Sequence, residues 1–255
     1  MVRRFFRLAL ADVYAAWWWT ILTLGCCLGW TAVPLLPRLK WRWRAVRGVA
    51  RSALAAMGVP VVVSGLERIS RGKAILTFNH SSYADVLALA AVLPGEPAFV
   101  AKKELAAQIF TALPLRLLRA LFVERYDLAG SIADAEAIAA AARLGRMIVF
   151  FPEGTFTRRP GLSGFYLGAF KVAAEADLPV IPGILRGTRS ILRGDQWFPR
   201  WASISVNIAE AVKPSGTDFA SILRLRDAVR QAILEGCGEP DIGELVKPPQ
   251  IVSAS

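Results

Sequence analysis

The chain contains 25 consecutive residues without a charged side chain, from Val13 to Pro37. In a helix, about 20 predominantly apolar residues are enough to cross the ~30 Å hydrocarbon core of a bilayer. The stretch is therefore either a membrane anchor or a buried core helix, and the three consecutive tryptophans Trp17–Trp19 favour the anchor. A cleaved signal peptide fits less well, because no small-x-small cleavage site follows the apolar run.

Basic and aromatic residues are concentrated in the same N-terminal segment. Residues 1–51 contain nine Lys or Arg side chains and one acidic side chain, together with six of the eight tryptophans. The formal net charge of the whole chain is +11, so most of the positive excess lies here. Anionic lipid explains the basic and aromatic residues together better than a phosphodiester backbone does. We expect an anionic membrane surface as a partner and no nucleic acid.

The flanks of the uncharged stretch are positive at both ends, although Lys and Arg usually accumulate only on the cytoplasmic side of a crossing helix. A segment that dips into the bilayer and returns, or one that lies in a single leaflet, removes this conflict. Gly25, Gly29 and Pro34 would permit a break. Whether the segment crosses the bilayer therefore stays open.

The next stretch, residues 38–57, is predicted to be an amphipathic helix. At 100° per residue, a basic face lies beside an apolar face that begins with Trp43. Such a helix is typical of the headgroup boundary of a membrane. The alternative is a solvated helix docked on the main domain. The basic face consists of Lys40, Arg44, Arg47 and Arg51.

From residue 58 onward, short β-rich runs alternate with Ala- and Leu-rich runs. This alternation predicts an α/β fold, with a mostly parallel sheet flanked by helices. The domain organisation is then 1–57 for the membrane-anchoring helices, 58–246 for the α/β domain and 247–255 for a tail. Predicted strands lie at 59–63, 74–78, 98–100, 147–151, 180–185 and 204–208, and predicted helices at 82–92, 130–144, 167–176 and 218–234.

The single histidine of the chain, His80, directly follows the predicted strand 74–78. A strand-to-helix corner can present a side chain to a ligand, and imidazole is the natural general base near neutral pH. Asp85 could bend back to one ring nitrogen and stabilise the imidazolium. The alternative is structural, because Ser82 and Asp85 have the spacing of a capping box.

A second polar cluster, Phe-Pro-Glu-Gly-Thr at 151–155, follows another predicted strand. Pro and Gly favour a tight turn, which would bring Glu153 and Thr155 to the same sheet edge as His80. Arginines follow two further apolar runs. Arg125 comes after 121–123, and an Arg-Gly-Thr-Arg turn at 186–189 comes after 180–185. The guanidinium fork suits a phosphate group.

Taken together, these four blocks resemble the glycerolipid acyltransferase family, the 1-acyl-glycerol-3-phosphate acyltransferases and their lysophospholipid relatives. The segment 79–85 matches the Asn-His-x4-Asp block, and 122–125 matches a second block that ends in Arg. The segment 151–155 matches the Phe-Pro-Glu-Gly-Thr block, and 180–184 matches a fourth block that contains Pro. Order and spacing agree over roughly residues 58–212.

The resemblance implies an enzyme that moves a fatty acyl group from acyl-CoA or acyl carrier protein to the hydroxyl group of a lyso-glycerolipid such as 1-acyl-glycerol-3-phosphate. His80 would remove the hydroxyl proton, and Asp85 would orient the imidazole. The family implies no metal and no cofactor beyond the thioester co-substrate. The residues expected to bind substrate are Arg125, Glu153, Gly154, Thr155, Arg158 and Lys102.

One position departs from the family pattern. The third block usually continues Glu-Gly-Thr-Arg-Ser, whereas here Phe156 follows Thr155, and the next arginine is Arg158. The acceptor is therefore either a phosphate-bearing lyso-lipid or a different, non-phosphate acceptor. Two other functions remain as alternatives: a basic membrane-binding or nucleic-acid-binding protein without catalysis, and a thioesterase in which water attacks the thioester.

The three cysteines show neither a metal-binding spacing nor a disulfide framework. Such cysteines fit a reducing compartment. Together with the membrane-anchoring segment, they lead us to expect the cytoplasmic face of the inner or plasma membrane.

Overall fold

The computed structural model describes residues 2–69, 74–123, 128–194 and 196–244. Within these residues seven strands form one sheet: β1 (Val61–Ser64), β2 (Ile75–Phe78), β3 (Ala98–Lys102), β4 (Leu121–Val123), β5 (Ile148–Phe150), β6 (Val180–Arg186) and β7 (Ile204–Ile208). Their order is β1-β7-β6-β2-β5-β3-β4. Every neighbouring pair is parallel except β6 and β7. The predicted mostly parallel sheet is therefore confirmed.

Helices cover both faces of this sheet. They are α1 (Val2–Leu35), α2 (Leu39–Ala56), α3 (Ala84–Val92), α4 (Ile109–Leu117), α5 (Leu128–Arg143), α6 (Gly168–Glu175), α7 (Thr188–Ile191) and α8 (Phe219–Cys237). The four helices predicted after residue 58 are present as α3, α5, α6 and α8. Two helices are not predicted by the sequence pattern: α4, which contains Pro114, and α7, which is a single turn. The pattern also does not predict β4, which is only three residues long.

Two hydrophobic clusters lie on opposite faces of the sheet, because side chains alternate along each strand. On β2, Leu76 faces the cluster that contains Leu54 of α2 and Leu89 of α3. Its neighbour Ile75 faces the cluster that contains Phe170 of α6 and Val229 of α8. The central strands are apolar on both faces because both faces are covered.

The N-terminal helices form a hairpin that packs on the sheet domain. α1 is continuous through Gly25 and Gly29 and ends one residue after Pro34, so the possible break within this segment does not occur. A Cβ added at Gly25 would contact Val49 and Ala53 of α2, which shows how closely the two helices approach. The turn lies between the helices, at residues 36–38.

α2 is docked on the main domain, as the alternative interpretation of its sequence stated. Trp43 and Leu54 are buried in the core. Two members of the predicted lipid-facing basic face instead bind protein carbonyls. Arg47 donates to the carbonyl oxygens of residues 93 and 95, and Arg51 donates to that of residue 91. Lys40 and Arg44 are exposed.

Candidate active site

The carboxyl ends of β2 and β5 lie side by side, because these two strands are parallel neighbours. The polar cluster after each strand therefore meets the other, as the sequence predicted. The backbone N–H of His80 donates to Glu153 Oε1 at 2.7 Å, which joins the two clusters directly.

The imidazole of His80 is held by a fully buried carboxylate. Asp85 Oδ2 lies 2.8 Å from His80 Nδ1 and also accepts hydrogen bonds from the backbone N–H groups of Ser81 (2.7 Å) and Ser82 (2.9 Å). Since a carboxylate only accepts, Nδ1 bears the proton and Nε2 is left as the basic nitrogen. Asp85 therefore orients the histidine and also satisfies the backbone that leads into α3, so the two roles weighed from the sequence are combined.

Three polar side chains lock the corner between β2 and α3. Asn79 donates to the carbonyl oxygen of Leu185 and accepts from its N–H, at 2.9 and 2.8 Å. Ser81 Oγ lies 3.1 Å from Thr188 Oγ1, and Ser82 Oγ donates to the carbonyl oxygen of residue 192 at 2.6 Å. All three side chains are buried. The strand end that presents His80 is thus tied to β6 and α7.

Glu153 is buried, and each of its carboxylate oxygens accepts a backbone N–H. Oε1 accepts from His80, and Oε2 accepts from Ser163 at 2.9 Å. Burial raises the pKa of Glu153 above its ordinary value, because the desolvation of the charged form outweighs these hydrogen bonds. Its contacts connect two loops of the protein, whereas the sequence analysis expected it to bind substrate.

The other residues predicted to bind substrate are arranged around this centre to different extents. Gly154 has φ 75°, a left-handed conformation that favours glycine, and its N–H closes a turn on the carbonyl of residue 151 at 2.9 Å. Thr155 follows half-buried, and Arg158 is exposed. Lys102 ends β3, at the same sheet edge but separated from β2 by β5. Arg125 lies outside the described residues.

Aromatic rings surround the imidazole of His80. Phe151 stacks on the His80 ring with centroids 4.1 Å apart, and Phe156 meets it edge-on at 4.5 Å. Tyr83 contacts Phe156 at 4.8 Å and stacks with Trp197 at 6.1 Å. The sequence analysis marked Phe156 only as a departure from the family pattern, and it missed Tyr83 and Trp197. Nothing local in the sequence links a residue near position 80 to one near 197.

The chain is similar in sequence to known acyltransferases. A family model for acyltransferases matches residues 60–186. A 1-acyl-sn-glycerol-3-phosphate acyltransferase of Cocos nucifera is 27% identical over 195 residues, which are 72% of this chain and 62% of that protein. The human 1-acyl-sn-glycerol-3-phosphate acyltransferase beta is 27% identical over 166 residues, 62% of this chain and 58% of that protein. The chain thus spans less than two thirds of the length of these curated relatives.

The fold also has a counterpart among solved structures. The crystal structure of the 1-acyl-sn-glycerophosphate acyltransferase PlsC from Thermotoga maritima superposes with a TM-score of 0.74. The alignment covers 90% of this chain and 97% of that chain, at 19% sequence identity. The similarity therefore extends over most of the chain, and it concerns the fold.

Proposed function

Since the chain belongs to the acyltransferase family, we propose that it is an O-acyltransferase that moves a fatty acyl group from a thioester to the hydroxyl group of a lyso-glycerolipid. One observation supports this most directly. His80 Nδ1 lies 2.8 Å from the buried carboxylate of Asp85, which leaves Nε2 as a general base at the edge of the sheet.

In the proposed reaction, His80 Nε2 takes the proton of the acceptor hydroxyl while its oxygen attacks the thioester carbonyl carbon. The tetrahedral intermediate then collapses, the carbon–sulfur bond breaks, and the imidazolium returns the proton to the departing thiolate. The negative charge of Asp85 stabilises the imidazolium between these two steps. Holding both substrates at one site supplies the proximity that an uncatalysed transfer lacks.

Direct attack by the acceptor is supported by the contacts of the neighbouring serines. Ser81 Oγ is within hydrogen-bond distance of Thr188 Oγ1, and Ser82 Oγ donates to a backbone carbonyl. Both hydroxyls are buried, so neither is presented as a nucleophile beside the imidazole. An acyl-enzyme on these serines is therefore not part of the proposal.

The donor is either acyl-CoA or an acyl carrier protein thioester, and the protein needs no further cofactor in this mechanism. The acceptor proposed first is 1-acyl-glycerol-3-phosphate, which is the substrate in the names of the relatives. The phenyl ring of Phe156 beside His80 makes a lyso-lipid with another headgroup the second candidate.

The proposed location is the cytoplasmic face of a membrane, with α1 in one leaflet. The stretch Ala9–Leu35 is long and apolar enough to cross a bilayer, and few of its side chains are buried. Contacts at Tyr14 and Gly25 hold α1 against α2 and its C-cap, and this packing on the domain supports a position in the plane of the membrane. Six exposed apolar residues lie within an arc of about 60° on the helix; they are Leu10, Val13, Trp17, Leu24, Leu28 and Leu35. We call this set the apolar stripe.

The test is acyl transfer by the purified full chain in liposomes. Labelled palmitoyl-CoA and palmitoyl carrier protein are offered with a panel of lyso-lipids, and lipid products are separated from free fatty acid. Wild type should form acylated lipid, and His80→Ala should lower kcat by about 10²–10⁴-fold. Free fatty acid formed without acceptor would indicate a thioesterase instead.

Asp85→Asn is the matched variant for the mechanism. The amide oxygen can occupy the position of Oδ2 and still accept the three hydrogen bonds, so the corner should keep its fold. The negative charge is lost and an amide nitrogen replaces Oδ1, a buried atom without a hydrogen-bond partner. We therefore expect kcat to fall by about 10²-fold or more while the variant stays folded, with only a small decrease in melting temperature. Full activity of both variants would refute the proposed base.

A further inference from the structure

All eight tryptophans of the chain belong to two regions that touch each other. Six lie between residues 17 and 43, and the other two are Trp197 and Trp201. The Trp19 and Trp197 ring centroids are 5.8 Å apart, and Trp19 Nε1 donates to the carbonyl oxygen of Trp197 at 2.8 Å. We call residues 196–201 the tryptophan loop. This loop and the N-terminal hairpin form one aromatic surface.

The rings of the tryptophan loop are unusually exposed. Trp197 is 68% exposed, Trp201 is 66% exposed and Phe198 is 45% exposed. Arg193 and Arg200 beside them are exposed as well. A contiguous apolar patch rimmed by polar residues marks an interaction site more often than a free surface.

Three indole N–H groups at this surface, those of Trp17, Trp19 and Trp201, donate to backbone carbonyls of the protein. Trp17 donates to the carbonyl oxygen of Ala56 and Trp201 to that of Gly58, at 2.9 and 2.6 Å. Ala56 is the last residue of α2 and Gly58 lies two residues beyond it, at a helix end where carbonyls lack internal partners. A ring whose N–H is already bonded can leave water without an unpaired donor. These side chains are therefore prepared for an apolar environment.

The tryptophan loop lies at the catalytic edge of the sheet. The register pairs Arg186 with Ser205 and Val61 with Ile204, so the start of β7 lies at the carboxyl end of β6. Trp197 stacks with Tyr83, which contacts Phe156, which in turn contacts the catalytic imidazole. An unbroken series of rings thus leads from the exposed loop to the site.

We propose that the tryptophan loop is a second membrane-contact surface, separate in sequence from the apolar stripe, and that its partner is the headgroup–acyl boundary of a bilayer. Tryptophan is favoured at that boundary because it combines a large apolar ring with a polar group. An acidic carrier protein would be matched mainly by arginines, whereas the largest exposed area here is ring surface. A second part of the proposal rests on the proposed function: the loop positions the acceptor lipid beside His80.

Bromine quenching measures the contact without reference to activity. The full chain is bound to phosphatidylglycerol vesicles with brominated acyl chains. The tryptophan fluorescence of the double variant Trp197→Phe/Trp201→Phe is subtracted from that of wild type, which leaves the emission of the two loop tryptophans. The difference emission should be quenched by bromolipid and protected from aqueous iodide. Trp43→Phe is the matched control, because Trp43 is buried in the protein and its difference emission should respond to neither quencher. Iodide quenching without bromolipid quenching of the loop would overturn the proposal.

A second variant tests the consequence for catalysis. Phe198→Ser/Trp201→Ser should lower kcat/KM by about tenfold for a long-chain lyso-lipid in vesicles and leave a monomeric short-chain acceptor unaffected. Leu144→Ser/Phe219→Ser, exposed apolar residues elsewhere on the domain, should change neither. A raised KM for the carrier-protein donor with both acceptors would mean that the loop docks that protein, against the proposal. Quenched loop emission in an inactive wild type would refute the proposed function alone.

Discussion

Two buried carboxylates organise the site at the scale of single residues, and they do so in different ways. One carboxylate oxygen of Asp85 accepts hydrogen bonds from His80 Nδ1 and from two backbone N–H groups. Glu153 receives one backbone N–H on each oxygen, from His80 and Ser163. The sequence identified both residues from their motifs. It could not reveal that Glu153 acts through the backbone of His80, because its partners lie 73 and 10 positions away.

Glu153→Gln should change the pH dependence of stability. Burial raises the pKa of Glu153 above 4.5, so the folded protein holds this proton to higher pH than the unfolded chain does. The contribution of protonated Glu153 to the free energy of unfolding is fully present below the pKa of the unfolded chain. It is lost as pH rises through the raised pKa of the folded protein. The free energy of unfolding of wild type minus that of Glu153→Gln should therefore fall as pH rises from 4.5. Denaturant unfolding in detergent at several pH values measures it.

Glu67→Gln is the control for this measurement, because the Glu67 side chain is exposed. It removes an exposed carboxylate and so controls for the loss of one surface charge. Glu153→Gln should also lower kcat more than it raises KM, since the new amide group faces a backbone N–H and disturbs His80. A flat stability difference across the pH series, or a variant that changes only KM, would count against the positioning role.

Phe156→Arg should shift the acceptor preference toward phosphate monoesters. The ring now lies 4.5 Å from the imidazole, so a guanidinium there would reach the acceptor headgroup. The ratio of kcat/KM for 1-acyl-glycerol-3-phosphate to that for an uncharged lyso-lipid should rise by about tenfold or more. Phe156→Leu removes the ring without adding charge and should leave the ratio near that of wild type. An unchanged ratio in Phe156→Arg would contradict the inference that residue 156 influences the choice of acceptor headgroup.

At the scale of elements, α3 depends on α2. The first turn of α3 contains Asp85, and its C-terminal carbonyls accept hydrogen bonds from Arg47 and Arg51. The sequence predicted both helices correctly but assigned these arginines to a lipid-facing surface. Periodicity shows which residues share a helical face, and it does not show which neighbour that face meets. β4 was missed for a different reason, because its three residues are too few to form a pattern.

Arg47→Ala/Arg51→Ala should destabilise the protein by leaving the end of α3 without its donors. We expect the free energy of unfolding to fall by about 1–3 kcal/mol. Arg44→Ala removes an exposed arginine from the same helix and should cost no more than about 0.5 kcal/mol. Thermal and denaturant unfolding of the three proteins in one detergent would measure this. Equal effects of the two variants would show that these arginines act at the surface.

At the scale of the whole molecule, the proposed active site, the end of α2 and the tryptophan loop lie at one edge of the sheet. β2 and β5 reach this edge with their carboxyl ends, while β1 and β7 reach it with their amino ends. The antiparallel pairing of β6 with β7 makes this possible. α1 adjoins this edge as well, because Trp19 contacts Trp197.

Leu24→Glu/Leu28→Glu should weaken membrane binding, because it places two charges on the apolar stripe. A carboxylate in an apolar bilayer environment is costly, and we expect flotation with phosphatidylglycerol vesicles to fall by about tenfold or more. Leu144→Glu, at another exposed leucine, should float like wild type. Unchanged flotation of the double variant would show that the apolar stripe does not anchor the protein to the membrane.

The amino-acid sequence by itself determined the α/β class and the apolar N-terminal helix. It also singled out His80 and Asp85 as candidate site residues. These follow from short-range information, namely hydrophobic periodicity and motifs within a few residues of a strand end. The tertiary structure decided which groups those residues meet. Glu153 reaches the backbone of His80, Phe156 contacts its ring, and Trp19 binds Trp197 across 178 positions. Such contacts depend on how the sheet brings distant segments together, because packing selects one arrangement among many that the local pattern allows.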